Sequence, residues 1–428
     1  MKNILKFLSV IILIPTTSLL VISCTLQTKE TKKTEKPTQT LSPKTEKPTQ
    51  TLSPKTEKPT QTLSPKTEKP TQTLSPKTEK PTQTLSPDKQ TIDKIKNILE
   101  QQSEAFGSFH TFQDVVDQIK VYAQNQGIKD FDKLELLDKK LANKTLTLGN
   151  NKNNLKLKYF DIEIPFALKN VLENEVKTKY SSTNSNEIIQ LGYKKHGNYI
   201  QLNIENKTIT KVPVTLPLKI NSFYKAFKDL KSETITNLDK WDTSNVKILT
   251  NAFEGAVNFN TDISEWNTSN VTEMTNAFYE AKKFNQNIGK WNTSKVTDMS
   301  AMFVGAESFN QDLNNWNVKN VQNMAQMFWD AIKFNGKISD WDVSNVVSTN
   351  NMFSSAESFN QDISKWNTLN VNSMDGMFAR AKSFTWSLKK WNVKKVVRAQ
   401  GFRKENKNNL GDDKIPSFED EVKKYIDD

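Results

Sequence analysis

Tryptophan recurs in this chain at Trp241, Trp266, Trp291, Trp316, Trp341, Trp366 and Trp391, a step of 25 residues with no slip. Other columns hold the same step. Val246, Val271, Val296, Val321, Val346, Val371 and Val396 follow each Trp by five residues. Phe253, Phe278, Phe303, Phe328, Phe353 and Phe378 follow by twelve, and Phe259, Phe284, Phe309, Phe334, Phe359 and Phe384 by eighteen. A unit of this length cannot bury its own apolar residues, so each must be covered by its neighbours, and a register without insertions demands identical stacked coils. The spacing therefore predicts a repeat solenoid.

Within one unit, Met299, Met302, Phe303 and Ala306 fall at i, i+3, i+4 and i+7. That spacing predicts a short helix over Asp298–Ala306. The following "NQDLNNW" predicts a short strand around Gln311–Asn315, with successive strands in parallel. Asn260, Asn285, Asn310, Asn335 and Asn360 stand after the second Phe. Their amides have the donors and acceptors to satisfy a tight turn in register, a structural ladder rather than a ligand site. The Trp column reads as buried rings whose N–H meets a loop carbonyl, ahead of exposed platforms for sugar. The column Asp262, Asn287, Asp312, Lys337, Asp362 is interrupted by a lysine and lacks a glycine pattern, which argues against calcium.

Function in such an array belongs to positions that break the columns. Tyr279 and Trp329 stand where other units carry Glu254, Val304, Ser354 and Ala379, and Trp386 is off register. These three aromatics are the candidate partner-binding residues, because exposed aromatics commonly anchor partners; partial burial against a neighbouring coil is the competing reading for Tyr279 and Trp329.

The N-terminus has a different character. Lys2 and Lys6 precede an apolar run from Phe7 to Ile22, ending at Cys24, the chain's single cysteine. The run suits a signal peptide (1–23) rather than a spanning helix. One cysteine forms no internal disulfide and no cysteine cluster for zinc. Its place after Ser23 resembles a bacterial lipobox, which implies a diacylglycerol on Cys24 as the membrane anchor and a chain displayed on the extracellular face. From Pro37 the motif "PTQTLSPKTEK" repeats every 11 residues. With one Leu and two Pro per copy it can assemble no core, so 24–87 reads as a disordered, extended stalk.

Residues 88–215 read as a small mixed α/β domain. Ile92, Ile95 and Leu99, then Val115, Ile119 and Tyr122, then Leu134, Leu137 and Leu141 have helical spacing. Leu155, Leu157 and Tyr159, then Ile162 and Ile164, alternate as strands, and 187–204 reads as a hairpin turning at His196-Gly197-Asn198. The chain's only two histidines, His110 and His196, have no ligand spacing around them. No nucleophile elbow, no phosphate-cradling glycine loop and no distinctive carboxylate pair is present, so no catalytic, cofactor or metal residue is assigned. The net charge is +12, of which the signal segment carries +2 and residues 27–87 carry +6. The remaining charge is diffuse, and only Arg380, Arg398 and Arg403 are arginines, which excludes a phosphate-binding face for nucleic acid.

The unit W-N-T-S-x-V-x-x-M-x-x-M-F-x-x-A-x-x-F-N-Q-D-I-S-x resembles the BspA-like leucine-rich-repeat surface proteins, and more narrowly the 25-residue lipoprotein repeats of mycoplasmas. The likeness covers about 216–402. It implies a leucine-rich-repeat-type solenoid on the cell surface, adhesion to a host protein or glycan or an antigenic role, and no catalytic residues. The chain is expected to be a monomeric surface lipoprotein without cofactor. An enzyme of hydrolase type housed in 88–215, with the array as docking module, is the alternative. Residues 403–428 are expected to cap the open end, with "PSFEDEVKKYIDD" forming a helix whose N-cap is Ser417.

Overall fold

A computed structural model describes residues 86–428. The signal segment, Cys24 and almost all of the stalk lie outside the described residues. Within them the apolar side chains form two cores, one from Ile92 to Val171 and one from Val176 to Ile426. By packing, residues 176–215 therefore go with the repeats.

The first core is built by helices α1 (Lys89–Gln101) and α2 (Phe112–Asn125) and strands β1 (Leu134–Leu136), β2 (Gly149–Tyr159) and β3 (Ile162–Val171). Asp88 caps α1 by accepting the Thr91 amide, and Thr111 and Asp114 form a capping box on α2. The antiparallel sheet has the order β1-β2-β3. Its alternation buries Leu155, Leu157, Tyr159, Ile164, Phe166 and Leu168 against Ile95, Leu99, Val115 and Ile119. Leu134, Leu137 and Leu141 are not on a helix. Leu134 lies in β1, where pairing with Tyr159 of β2 outweighs the helical spacing, and Leu141 ends a single 3₁₀ turn.

Short strands β4 (Glu175–Val176), β5 (Lys179–Tyr180), β6 (Ile188–Gln190), β7 (Tyr193–His196) and β8 (Tyr199–Leu202) follow. The hairpin is β7–β8, turning at Gly197-Asn198; β6 pairs instead with β5. Gly197 has φ +57°, the left-handed conformation this tight turn requires.

Each 25-residue unit then makes one coil, joined to the next by single parallel bridges. These run Ser222–Ile248–Glu273–Asp298–Asn323–Ser348–Ser373–Arg398. The expected helix and strand are both absent. Over Asp298–Ala306 the chain has left-handed residues at Ala301 (φ +53°) and Gly305 (φ +64°), and the same two positions are left-handed in every coil from Asn251 and Gly255 to Gly401 and Glu405. Two such residues four apart break any helix. What forms instead is a ribbon of turns. Ala252, Ala256 and their counterparts donate to the carbonyl three residues back. The alternate amides, Leu249, Asn251, Phe253 and Gly255, donate to Glu273, Thr275, Ala277 and Tyr279 of the next coil. No strand forms at Gln311–Asn315, where a single backbone bond, Leu313 amide to Lys337 carbonyl, reaches the next coil; the regular inter-coil pairing lies in the turn ribbon.

The core side chains stack in files. Phe278, Phe303 and Phe328 lie with ring centroids 5.6 Å apart and planes within 2°. Spacing widens across the coil, from about 4.8 Å expected of paired backbones to 5.3–5.8 Å along the first Phe file, 5.7–6.0 Å along the second and 6.1–6.5 Å along the Trp file. The coils therefore fan, with the hydrogen-bonded ridge on the inner side. Each Trp indole N–H donates to a carbonyl 28 residues earlier, as Trp316 does to Ile288 at 2.9 Å. Asn310 N–H donates to Asn285 Oδ1 at 2.9 Å, and the same bond joins Asn335 to Asn310 and Asn360 to Asn335.

The last coil departs from the pattern. Arg403 takes the place of the first Phe, is 2% exposed, and is held by Asp427, Asp412 and the Leu410 carbonyl. The capping helix is shorter than expected, α3 (Asp420–Lys423), with Glu419 rather than Ser417 at its N-cap. The Phe418 amide donates back to the Pro416 carbonyl, and the helical turn starts only after it.

Replacing Phe303 by Ala opens a cavity in a file that cannot close without shifting both neighbours. A loss of about 3–5 kcal/mol is expected. Urea unfolding followed by tryptophan fluorescence checks it, and reports this region selectively because all nine tryptophans lie in the repeats.

Candidate functional site

The three aromatics singled out by sequence fall in two places. Tyr279 and Trp329 stand on the inner ridge in the same column, two coils apart, with Val304 between them. The Glu280 amide reaches the Val304 carbonyl and the Gly305 amide the Trp329 carbonyl, which fixes that neighbour order. Both rings are half-buried, and between them Val304 is only 4% exposed. They thus cover a coil as well as facing solvent. Trp386 is elsewhere, at the far side of the coil, and is 42% exposed where the seven core indoles are 2–5% exposed. Its N–H donates to the Asn360 carbonyl at 3.0 Å.

Around each core Trp the backbone turns sharply, and the polar columns there are occupied with holding it. Asn292, Asn317, Asp342 and Asn367 each accept the amide two residues on. Asp362 does so from Ser364, and hydrogen bonds from Ser364, followed by the fields of Lys365 and Lys390, lower its pKa. Asn320, Asn345 and Asn370 donate to carbonyls of the preceding coil. Their side chains are engaged in structure.

A group that sequence reasoning passed over is the set of lysines in the final unit. Lys389, Lys390, Lys394 and Lys395 flank Trp391, Lys365 occupies the Lys390 column one coil earlier, and all five are exposed. Among the described residues none is in an ion pair with a carboxylate; Lys395 instead donates to Asn370 Oδ1 at 2.7 Å. The signal was present as a local charge count, hidden by a chain-wide abundance of lysine.

His110 is buried in an aromatic nest of Phe106, Phe109 and Tyr193, where β7 meets the loop after α1. Nδ1 lies 3.1 Å from both the amide and the carbonyl of Gly107, Nε2 lies 3.3 Å from the Tyr193 hydroxyl, and that hydroxyl donates to the Ala105 carbonyl at 2.8 Å. Burial lowers its pKa from 6.5 to about 4. No reacting group stands beside it, and the arrangement ties the helical core to the repeats. Among the described residues no group of three or more His, Cys, Asp or Glu is placed to hold a metal. An apolar groove of about 520 Å³ lies on β2 and β3, lined by Leu137, Leu141, Leu155 and Phe166, without a carboxylate pair or histidine.

Because the folded state keeps His110 neutral while the unfolded chain protonates near pH 6.5, His110 stabilises the fold above that pH. The contribution is lost as pH falls towards about 4, with a slope approaching about 1.4 kcal/mol per pH unit. Urea unfolding followed by circular dichroism, compared between wild type and His110→Gln, is expected to show the pH dependence reduced by that slope between pH 6.5 and 4.

No helix among the described residues is long and apolar enough to cross a membrane. No curated protein and no solved structure matches the chain. A family model does: residues 221–331 and 312–413, the stacked coils, match the family described as "Mycoplasma protein of unknown function, DUF285".

Proposed function

We propose that the chain is a non-catalytic surface lipoprotein whose stacked coils, a solenoid of leucine-rich-repeat type, bind a host protein or glycan or serve as a surface antigen. The observation that carries this reading is the Tyr279–Val304–Trp329 ridge. Its two aromatics are absent from the same column in other coils, and they lie on the inner face of a fanned array, where a partner is contacted by several coils at once. The mycoplasma family match supports the coarse assignment. The position of Cys24 after an apolar run supports an anchor on the outer face of the cell membrane, and two or more acyl chains hold a protein there stably. The engaged polar columns and the non-polar groove on β2 and β3 favour binding over hydrolysis. The molecule is read as a monomer that binds no nucleic acid.

Two measurements test the reading. Cys24→Ser is expected to shift the protein from the detergent phase to the aqueous phase on phase partitioning; retention in detergent would remove the anchor. In a screen of the full chain against host matrix proteins, glycans and cells, Tyr279→Ala with Trp329→Ala is expected to weaken the strongest interaction at least tenfold, since central aromatics commonly contribute about 2 kcal/mol or more. Unchanged binding would remove the ridge from the interface.

A further inference from the structure

We propose that the last coil docks a polyanionic carbohydrate, a chain of carboxylate- or sulfate-bearing sugars, with Trp386 as the platform for one ring and the lysines around Trp391 as its counter-charges. This deepens the partner-binding reading above and rests on it.

Trp386 is the first part of the case. Its column carries Gln286, Gln311 and Gln361 in other coils. Gln286 and Gln361 donate to the carbonyls of Asn260 and Asn335, and Trp386 makes the same bond with its indole N–H to Asn360. The coil therefore gains no hydrogen bond from the exchange. What it gains is a large ring, fixed at one edge and left open to solvent. An indole held but uncovered suits the C–H face of a pyranose, while the amide-rich surroundings suit its hydroxyls.

Charge is the second part. At the positions of Lys389, Lys394 and Lys395, other coils carry mainly Ser, Ser and Asn. Lys395, like Lys295, replaces the Asn that in other coils ties a turn to the preceding coil. Trp366 and Trp391 are 6.2 Å apart, so Lys365 and Lys390, one residue before each, sit on adjacent coils as a pair of exposed cations. Two carboxylates stand near them: Asp362, occupied with the Ser364 amide, and Asp340, one coil before Lys365 in its column, which accepts from the side chains of Asn314 and Ser339. All three arginines at this end are already paired, Arg398 with Asp375, Arg380 with Glu405 and Arg403 with Asp412 and Asp427. A corner of lysine point charges beside a single aromatic ring fits a flexible anionic glycan better than nucleic acid, which favours arginine forks and a series of stacked rings.

The test uses the full chain and heparin as probe. Substitutions restore residues that the same columns carry elsewhere, so folding is preserved. Lys389→Ser, Lys390→Asn, Lys394→Ser and Lys395→Asn together are expected to raise the Kd at least tenfold and to flatten its salt dependence. Trp386→Gln is expected to raise the Kd about two- to tenfold with the salt dependence unchanged, the signature of ring contact. Absence of heparin binding by the wild type overturns the proposal. So does a Trp386→Gln variant that binds as wild type, or equal binding of single-stranded DNA or anionic vesicles that the same substitutions abolish. If host-cell binding survives all five substitutions but not Tyr279→Ala with Trp329→Ala, this site falls and the broader reading stands.

Discussion

The repeats depend on one relay: alternate amides of the turn ribbon donating to carbonyls of the next coil. In a parallel sheet, successive peptides along a strand point alternately to either neighbour. Here Leu249, Asn251, Phe253 and Gly255 donate to the C-terminal side as alternate residues of a parallel strand would. The amides between them, Ala252, Glu254 and Ala256, turn into their own coil and donate to Leu249, Asn251 and Phe253. The outward pattern continues through Met374, Gly376, Phe378 and Arg380. The left-handed residues, Asn251 and Gly255 in this coil, interrupt the extended backbone where these turns close. A few amides on the flanks, such as Gln322 to Thr297, run the opposite way and lock the register.

Aligned peptides give the ridge a polarity like that of a helix, with unpaired carbonyls at one end and unpaired amides at the other. Both ends are met by the right chemistry. At the first coil, Ser222 and Tyr224 carbonyls accept from the Leu202 amide and the Gln201 side chain, and the ammonium of Lys207 lies 3.4 Å from the Ala226 carbonyl. Burial lowers the Lys207 pKa, opposed by the fields of Asp229 and Glu205. At the last coil, Gly401 and Arg403 amides donate to the Tyr425 and Ile426 carbonyls, and the acidic residues Asp427 and Asp412 gather round Arg403. A buried arginine where the Phe file would continue is tolerated because all three guanidinium nitrogens donate, to Asp427, Asp412 and the Leu410 carbonyl.

The period, the columns and the identity of the core residues were legible from sequence because burial in a repeat is written many times over. The local backbone was not. A spacing of i, i+3, i+4, i+7 is shared by a helix and by a ribbon of three-residue turns, and Met299, Met302, Phe303 and Ala306 satisfy both. The distinguishing signal is weak: Asn251, Asn276, Asn351, Gly376 and Gly401 tolerate left-handed geometry, but Ala301 and Gln326 hold the same column. Tertiary hydrogen bonds override their preference. At the candidate sites, the odd aromatics could be found by comparing units, whereas exposure could not. Sequence treated Tyr279, Trp329 and Trp386 alike, and packing separates two half-buried rings from one open one.

The directional relay also bears on how such a chain changes length. Either terminus is matched to its own cap, so a unit added beyond the last coil would meet Arg403 instead of a phenylalanine and displace the segment that satisfies it. A unit duplicated between two interior coils meets the same donors, acceptors and rings on both sides. Growth and shrinkage of the array by unequal recombination are thus tolerated in the middle and resisted at the margins, and the ends are where individual residues are free to acquire a character of their own.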